Sequence, residues 1–231
     1  MDERLLFDKI ANLRERVRLA AEKSQRAPGD IQILAVSKTQ AAEAIRMAWR
    51  AGLSQFGESY LQEALAKITA LQDLPITWHF IGPLQSNKTR AVAENFAWVH
   101  SVDRSRIARR LNEHRPATLP PLQVCLQVNI SGEQSKSGVS LEELPGLASE
   151  VLALPRLQLR GLMAIPAPTP DPARQRAAFA ALRLALEQLQ QTLAPAMDTL
   201  SMGMSDDLEA AIAEGSTMVR VGSGIFGPRN R

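Results

Sequence analysis

Eight short apolar runs, separated by stretches of helical periodicity, constrain this chain more than any other feature. The runs are IQILAVS (31–37), LSQFGE (53–58), TWHFIG (77–82), AWVHSV (97–102), LQVCLQVNI (122–130), LRGLMAI (159–165), TLSMGM (199–204) and MVRVGSGIFG (218–227). Several are continuously apolar rather than alternating, the pattern of parallel strands covered on both faces. Between them, helical spacing recurs. Leu6, Ile10, Leu13, Val17 and Ala20 form one stripe; Leu141, Leu144, Ala148 and Val151 a second; Phe179, Leu182, Leu186, Leu189 and Leu193 a third. Start and stop signals agree: Ser140 with Glu143 and Ser59 with Gln62 read as capping boxes, and SDDLEAAIAEG (205–215) pairs an N-cap serine with a closing Gly215. No Gly/Ser linker, low-complexity tract or repeat divides the chain, and the proline cluster IPAPTPDPA (165–173) reads as a stiff strand-to-helix loop. Eight strand–helix units in 231 residues predict one domain over 1–231, a (β/α)8 TIM barrel with an extra N-terminal helix completing the outer ring. An open doubly wound sheet is the alternative, but no Gly-x-Gly-x-x-Gly follows the first strand.

Composition narrows the function classes. With 45% hydrophobic and 22% charged residues the chain is ordinary globular protein, and it has no run of about 18 apolar residues to span a membrane. MDERLLFDKI carries acids early and lacks an apolar stretch, so a signal peptide is not expected and a cytoplasmic location is. The net charge is only +3; the densest basic stretch, RSRIARRLNEHR (104–115), reads as a solvated helix face with Ile107, Ala108 and Leu111 turned inward. Aromatic residues, at 4%, are too few to suggest base stacking, so nucleic acid is not an expected partner. The single cysteine, Cys125, reads as a small buried hydrophobe. His79 and His100 lie in strands without a second ligand at metal spacing, so no metal is expected.

Active sites of such barrels lie at the C-terminal ends of the strands, where Lys38 closes the first run. A strand-end lysine often snorkels into water. A partly desolvated one has a depressed pKa, and its neutral amine can form an imine with an aldehyde. The usual phosphate site follows strands seven and eight. Here Ser205 opens the segment after strand seven, and Gly222, Ser223 and Gly224 follow the core of strand eight, where backbone amides can approach an anion. Asp206 and Asp207 oppose a phosphate. The two motifs opposite a strand-end lysine point to a phosphorylated aldehyde cofactor, with pyridoxal phosphate the obvious one.

AVSKTQ, QFGESYLQEALAK, WHFIGPLQSNK, VNISGEQSKSG, RGLMAIP and SMGMSDDLEAAIAEGSTMVRVGSGIFG closely resemble, in order, the pyridoxal phosphate homeostasis proteins. These look like an isolated N-terminal barrel domain of the alanine racemase superfamily. The resemblance implies pyridoxal 5'-phosphate held as an imine on Lys38, phosphate contacts from Ser205 and from Gly222–Ser223, and Arg220 directed at the pyridine nitrogen. An arginine cannot give that nitrogen a proton, so the ring stays a weaker electron sink than one paired with a carboxylate. Arg220 pairing with Asp206 or Asp207 is the structural alternative. Ser59 stands where the family usually has asparagine, and Lys136 falls where racemases of this barrel tend to carry an arginine; a loop lysine is the plainer reading there. Met163 could pack near the cofactor, but a buried methionine needs no function to explain it.

Two functions follow from different classes. A racemase needs an acid–base group on each face of the substrate's α-carbon. In alanine racemases the second comes from a tyrosine of the C-terminal β-domain of a partner subunit; no such domain is expected here, and the one tyrosine of the sequence is Tyr60. The resemblance implies instead a protein with little or no catalysis that takes part in intracellular pyridoxal phosphate homeostasis, with pyridoxal phosphate-dependent recipient enzymes as its candidate partners. A phosphosugar aldolase using Lys38 is a third reading, and a monomer is the expected state.

Overall fold

The computed structural model describes residues 2–132, 137–193 and 197–228. Eight parallel strands close into a barrel in chain order, with β8 returning to β1 through Gln32↔Met218 to Ala35↔Val221. The strands are β1 (Gln32–Val36), β2 (Gln55–Glu58), β3 (Thr77–Phe80), β4 (Trp98–Val102), β5 (Leu122–Gln127), β6 (Leu157–Met163), β7 (Thr199–Ser201) and β8 (Met218–Val221). The helices are α1 (Glu3–Lys23), α2 (Ala42–Arg50), α3 (Leu61–Ala70), α4 (Thr89–Asn95), α5 (Ser105–His114), α6 (Leu144–Leu152), α7 (Pro172–Leu193), α8 (Leu208–Ala213) and α9 (Ser223–Phe226). The (β/α)8 architecture and the extra N-terminal helix are therefore as the sequence predicts.

Strand alternation sorts side chains into two compartments. Ala35, Phe56, Val99, Val124, Leu162 and Val219 join the layer between sheet and helices. Trp98, Cys125 and Met163 form a separate cluster inside the barrel. The outer layer buries the stripes of α1 and α7, including Leu6, Ile10, Phe179 and Leu182. Asp2 caps α1 by accepting the N–H groups of Arg4 and Leu5, and the helix packs on α2, α8 and α9, closing the outer ring. Ile107, Ala108 and Leu111 of α5 are buried as expected. Arg115, placed on the solvated face by its spacing, is buried instead and donates to the carbonyls of Ala93, Phe96 and Pro120.

Several local expectations are corrected. Residues 223–226 wind into α9 rather than prolonging the last strand. Ser59 caps nothing: Tyr60 is the N-cap of α3 and makes no side-chain capping bond. Ser205 lies in a turn ahead of α8, whose N-cap is Asp207. Ser140 does accept the N–H of Glu143, but Leu141 is exposed and lies off the α6 stripe. Gly215 ends α8 at φ +94°. Lys136 lies outside the described residues. Among the described residues, no helix is long and apolar enough to cross a membrane, and no cluster of His, Cys, Asp or Glu is arranged to hold a metal ion.

Candidate functional site

A cavity of about 240 Å³ opens at the C-terminal ends of β1, β7 and β8, and Lys38, Ser205, Arg220, Gly222 and Ser223 all line it. The five residues singled out from the sequence are thus brought together, though they span more than 180 positions of chain.

Lys38 shares the inward parity of Leu34 and Val36, and it is half-buried. Its neighbours are tied down from the opposite side. The Ser37 hydroxyl donates to Glu58 Oε1 at 2.6 Å, while Lys67 Nζ donates to the Ser37 carbonyl at 2.7 Å and to Glu58 Oε1 at 2.8 Å. Lys67 also pairs with Glu63, whose carboxylate accepts the Thr39 N–H. Thr39 adopts φ +67°, uncommon for a β-branched residue, so the chain turns sharply just past the lysine. Both peptide units flanking Lys38 are therefore anchored to α3 and β2, which fixes where its side chain leaves the backbone. Burial pushes the Glu58 carboxyl up against the pull of Lys67 and Ser37, and its Oε2 has no hydrogen-bond partner among the described residues.

Arg220 is buried near the end of β8 and makes no ion pair with Asp206 or Asp207. Nη1 donates to the carbonyl of Ser201 and, at 2.8 Å, to its hydroxyl; Nη2 donates to the Ala164 carbonyl at 2.8 Å. A guanidinium carries five N–H donors. Among the described residues, Nε–H and the second Nη2–H have no protein acceptor, so one edge of the fork is left for a ligand. Burial pushes the Arg220 pKa down to about 10, which leaves it charged at neutral pH.

The corner expected to receive an anion is built from two loops. Ser223 Oγ lies 3.2 Å from Ser205 Oγ, which also accepts the Gly224 N–H at 3.3 Å. A Cβ on Gly224 would approach Val221 Cγ1 to 2.9 Å and Ser205 Oγ to 3.4 Å, so a side chain would fill the cradle. Gly203, at φ +93°, sets the turn after β7; its carbonyl accepts the Arg220 N–H at 2.9 Å. From α1, Arg16 donates to the Ser205 carbonyl at 3.0 Å and pairs with Glu209, a support that spacing does not reveal. Asp206 lines the cavity, but Asp207 accepts the Met204 N–H at 2.6 Å, and burial pushes its carboxyl up. Asp207 is thus turned to its own backbone and, unlike Asp206, is not among the residues lining the cavity. An amine, a partly uncommitted guanidinium, two hydroxyls and a glycine cradle suit an aldehyde carrying a phosphate and a basic ring nitrogen.

Other candidates fall elsewhere. Ser59 lines the cavity and its backbone is pressed against Gly82, where an added Cβ would come within 2.3 Å of the Ser59 carbonyl. Tyr60 is exposed and does not line the cavity. Met163 is buried with Trp98 and Cys125 inside the barrel. Burial pushes the Cys125 thiol up to about 12, which makes it inert at neutral pH. The histidines are not isolated core residues: His79 Nδ1 and His100 Nε2 are 2.9 Å apart.

A parallel eight-stranded barrel with a lysine at the end of β1 and a serine–glycine corner after β7 and β8 defines the class. The profile of the family described as alanine racemase, N-terminal domain, matches residues 9–230. Among individual proteins, the pyridoxal phosphate homeostasis protein of Pseudomonas aeruginosa is 60% identical over 225 residues, covering 97% of this chain and 96% of its own. That of Escherichia coli K12 is 56% identical over 224 residues, covering 96% and 95%. The structure of PipY from Synechococcus elongatus with pyridoxal phosphate bound superposes with a TM-score of 0.83 at 38% identity, over 96% of this chain and all of PipY. The chain belongs to the pyridoxal phosphate homeostasis protein family.

Proposed function

We propose that this chain works as one domain that holds pyridoxal 5'-phosphate as an imine on Lys38 and takes part in maintaining the free pool of that cofactor. The observation that carries the reading is the convergence of Lys38, Arg220, Ser205, Gly222 and Ser223 on one cavity. The similarity to relatives named for this task, and to PipY with the cofactor bound, supports it. Ser205, Ser223 and the amides of the Gly222 turn take the phosphate. Arg220 takes the ring nitrogen on its uncommitted edge. Bound cofactor supplies an electrophilic carbon and an electron-withdrawing ring; the protein supplies the amine, the anion cradle and a cation that gives the ring no proton.

Holding rather than chemistry is the proposed role. Arg220 keeps the ring a weak electron sink, and the chain's one tyrosine is not among the residues lining the cavity. Loaded protein is proposed to pass the cofactor to pyridoxal phosphate-dependent enzymes and to act in the cytoplasm as a monomer. The test is a visible absorption spectrum of the wild type and of Lys38→Ala with added pyridoxal phosphate, before and after borohydride. An imine band that borohydride fixes covalently to Lys38 is expected in the wild type alone. The same band in Lys38→Ala, or none in either protein, overturns the reading. Rapid exchange of an amino acid's α-proton by the loaded protein would argue for an enzyme instead.

A further inference from the structure

We propose that Gln55, His79, His100 and Ser201 form a one-directional hydrogen-bond chain through the barrel interior and are positioning residues that aim Arg220 at the cavity. The inference rests on the reading of that cavity as a pyridoxal phosphate site.

The chain is continuous. Arg220 Nη1 lies 2.8 Å from Ser201 Oγ, Ser201 Oγ 2.8 Å from His100 Nδ1, His100 Nε2 2.9 Å from His79 Nδ1, and His79 Nε2 2.6 Å from Gln55 Oε1. It crosses β8, β7, β4, β3 and β2, and Gln55 lines a second cavity at the opposite end of the barrel.

Its direction follows from donor and acceptor counts. Arginine has no acceptor, so Ser201 Oγ must accept from Nη1. The one hydroxyl hydrogen of Ser201 is then available to His100 Nδ1. With that nitrogen accepting, His100 carries its hydrogen on Nε2 and donates to His79 Nδ1. His79 in turn carries its hydrogen on Nε2 and donates to the Gln55 carbonyl oxygen. Every member is satisfied with both rings neutral, as a buried network requires. The opposite polarity would aim two donors at Ser201 Oγ and leave its own hydrogen without an acceptor among the described residues. A proton added to His79 would set N–H against N–H at 2.9 Å. The surroundings agree: His100 faces His79 from β3 and the cation of Arg220 from β8, and burial together with these two neighbours pushes its pKa well down. His79 is also stacked on Trp98, with ring centroids 5.3 Å apart.

The consequence lies at Arg220. Three of its five N–H groups are committed to Ser201 and Ala164, and the Ser201 hydroxyl is itself oriented by His100. The guanidinium thus presents a fixed edge. A fixed cation beside the cofactor ring disfavours a proton on the lysine imine, and loosening the cation relaxes that effect.

The experiment has two arms. Long-range nitrogen–proton correlation spectra of the cofactor-free wild type read the tautomers of His79 and His100 directly. Both rings are expected as Nε2–H, unchanged from pH 5 to 8. An Nδ1–H ring, or titration of either within that range, overturns the chain. In the second arm, the pH midpoint of the imine absorbance is followed in loaded wild type, Ser201→Ala and Ser201→Thr. Ser201→Ala is expected to raise the midpoint by about half a unit or more, and Ser201→Thr, which keeps the hydroxyl, to restore it. An unchanged or lower midpoint in Ser201→Ala overturns the positioning role. Should Ser201→Ala fail to fold, the tautomers of the wild type decide. Absence of any chromophore in the wild type overturns the reading of the cavity, and the tautomer spectra still show separately whether the chain stands.

Discussion

Lys67 and Glu58 are both buried beside the backbone of Lys38, and removing two charges from water costs several kcal/mol per ion before their attraction offsets it. What the pair gains is position. One ammonium ties α3 to the Ser37 carbonyl and to the end of β2. Lys67→Met removes the cation and leaves Glu58 with the Ser37 hydroxyl alone. We expect a loss of about 3 kcal/mol in urea unfolding, the range for breaking a buried pair, with a large part recovered in the double variant Glu58→Gln/Lys67→Met. A loss below about 1 kcal/mol would equate the pair with surface ion pairs and contradict the clamp. Nothing in the spacing of Glu58 and Lys67 marks them, because nine residues apart across a strand and a helix have no fixed geometry until both elements are packed.

At the scale of elements, the β5–β6 register shifts between Val124↔Leu159 and Cys125↔Gly161, so Arg160 is the additional residue of a bulge. Its guanidinium covers the Trp98 ring at 5.0 Å and donates to Asp198. Gly161 then passes so close to β7 that an added Cβ would lie 1.8 Å from the Thr199 carbonyl oxygen, a backbone atom that cannot move aside cheaply. Gly161→Ala is therefore expected to cost about 3 kcal/mol or more by thermal or urea unfolding, as severe local strain does. A cost within about 0.5 kcal/mol would mean that the strands are not paired in this register. The end of β8 teaches the complementary lesson. VGSGIFG reads as continuing strand because its apolar content is high. Ile225 and Phe226 are instead buried through a helical turn against α1, and only that packing distinguishes the two.

For the whole molecule, the two interior histidines govern the response to acid. Burial pushes His79 from 6.5 down to about 3 and His100 well below its ordinary value. Between pH 6.5 and 3 the unfolded chain binds protons that the folded chain excludes. Their stabilisation is therefore complete above pH 6.5 and is lost as pH falls, at up to about 1.4 kcal/mol per pH unit for each ring. Glu58 and Asp207, whose carboxyls are raised by burial, act with the opposite sign and offset part of the loss. Urea unfolding at pH 7, 6 and 5 should show a steady decline, and His79→Phe a shallower one. A flat profile in the wild type would contradict neutral, buried rings.

The barrel, the N-terminal helix and the strand-end positions of Lys38, Ser205, Gly222 and Ser223 were legible in the chain's own pattern, whereas Arg220 was singled out by the family resemblance. Strand and helix periodicities are local, and in this architecture the end of a strand already says which face of the molecule a residue reaches. Tertiary structure alone decided what holds those residues in place. The anchoring of Ser37 and Thr39, the grip of Arg16 on Ser205 and the path from Gln55 to Arg220 join side chains on different elements. Such contacts depend on barrel closure and strand register, which no window of sequence contains, and a polar group's partner is known only when the register is.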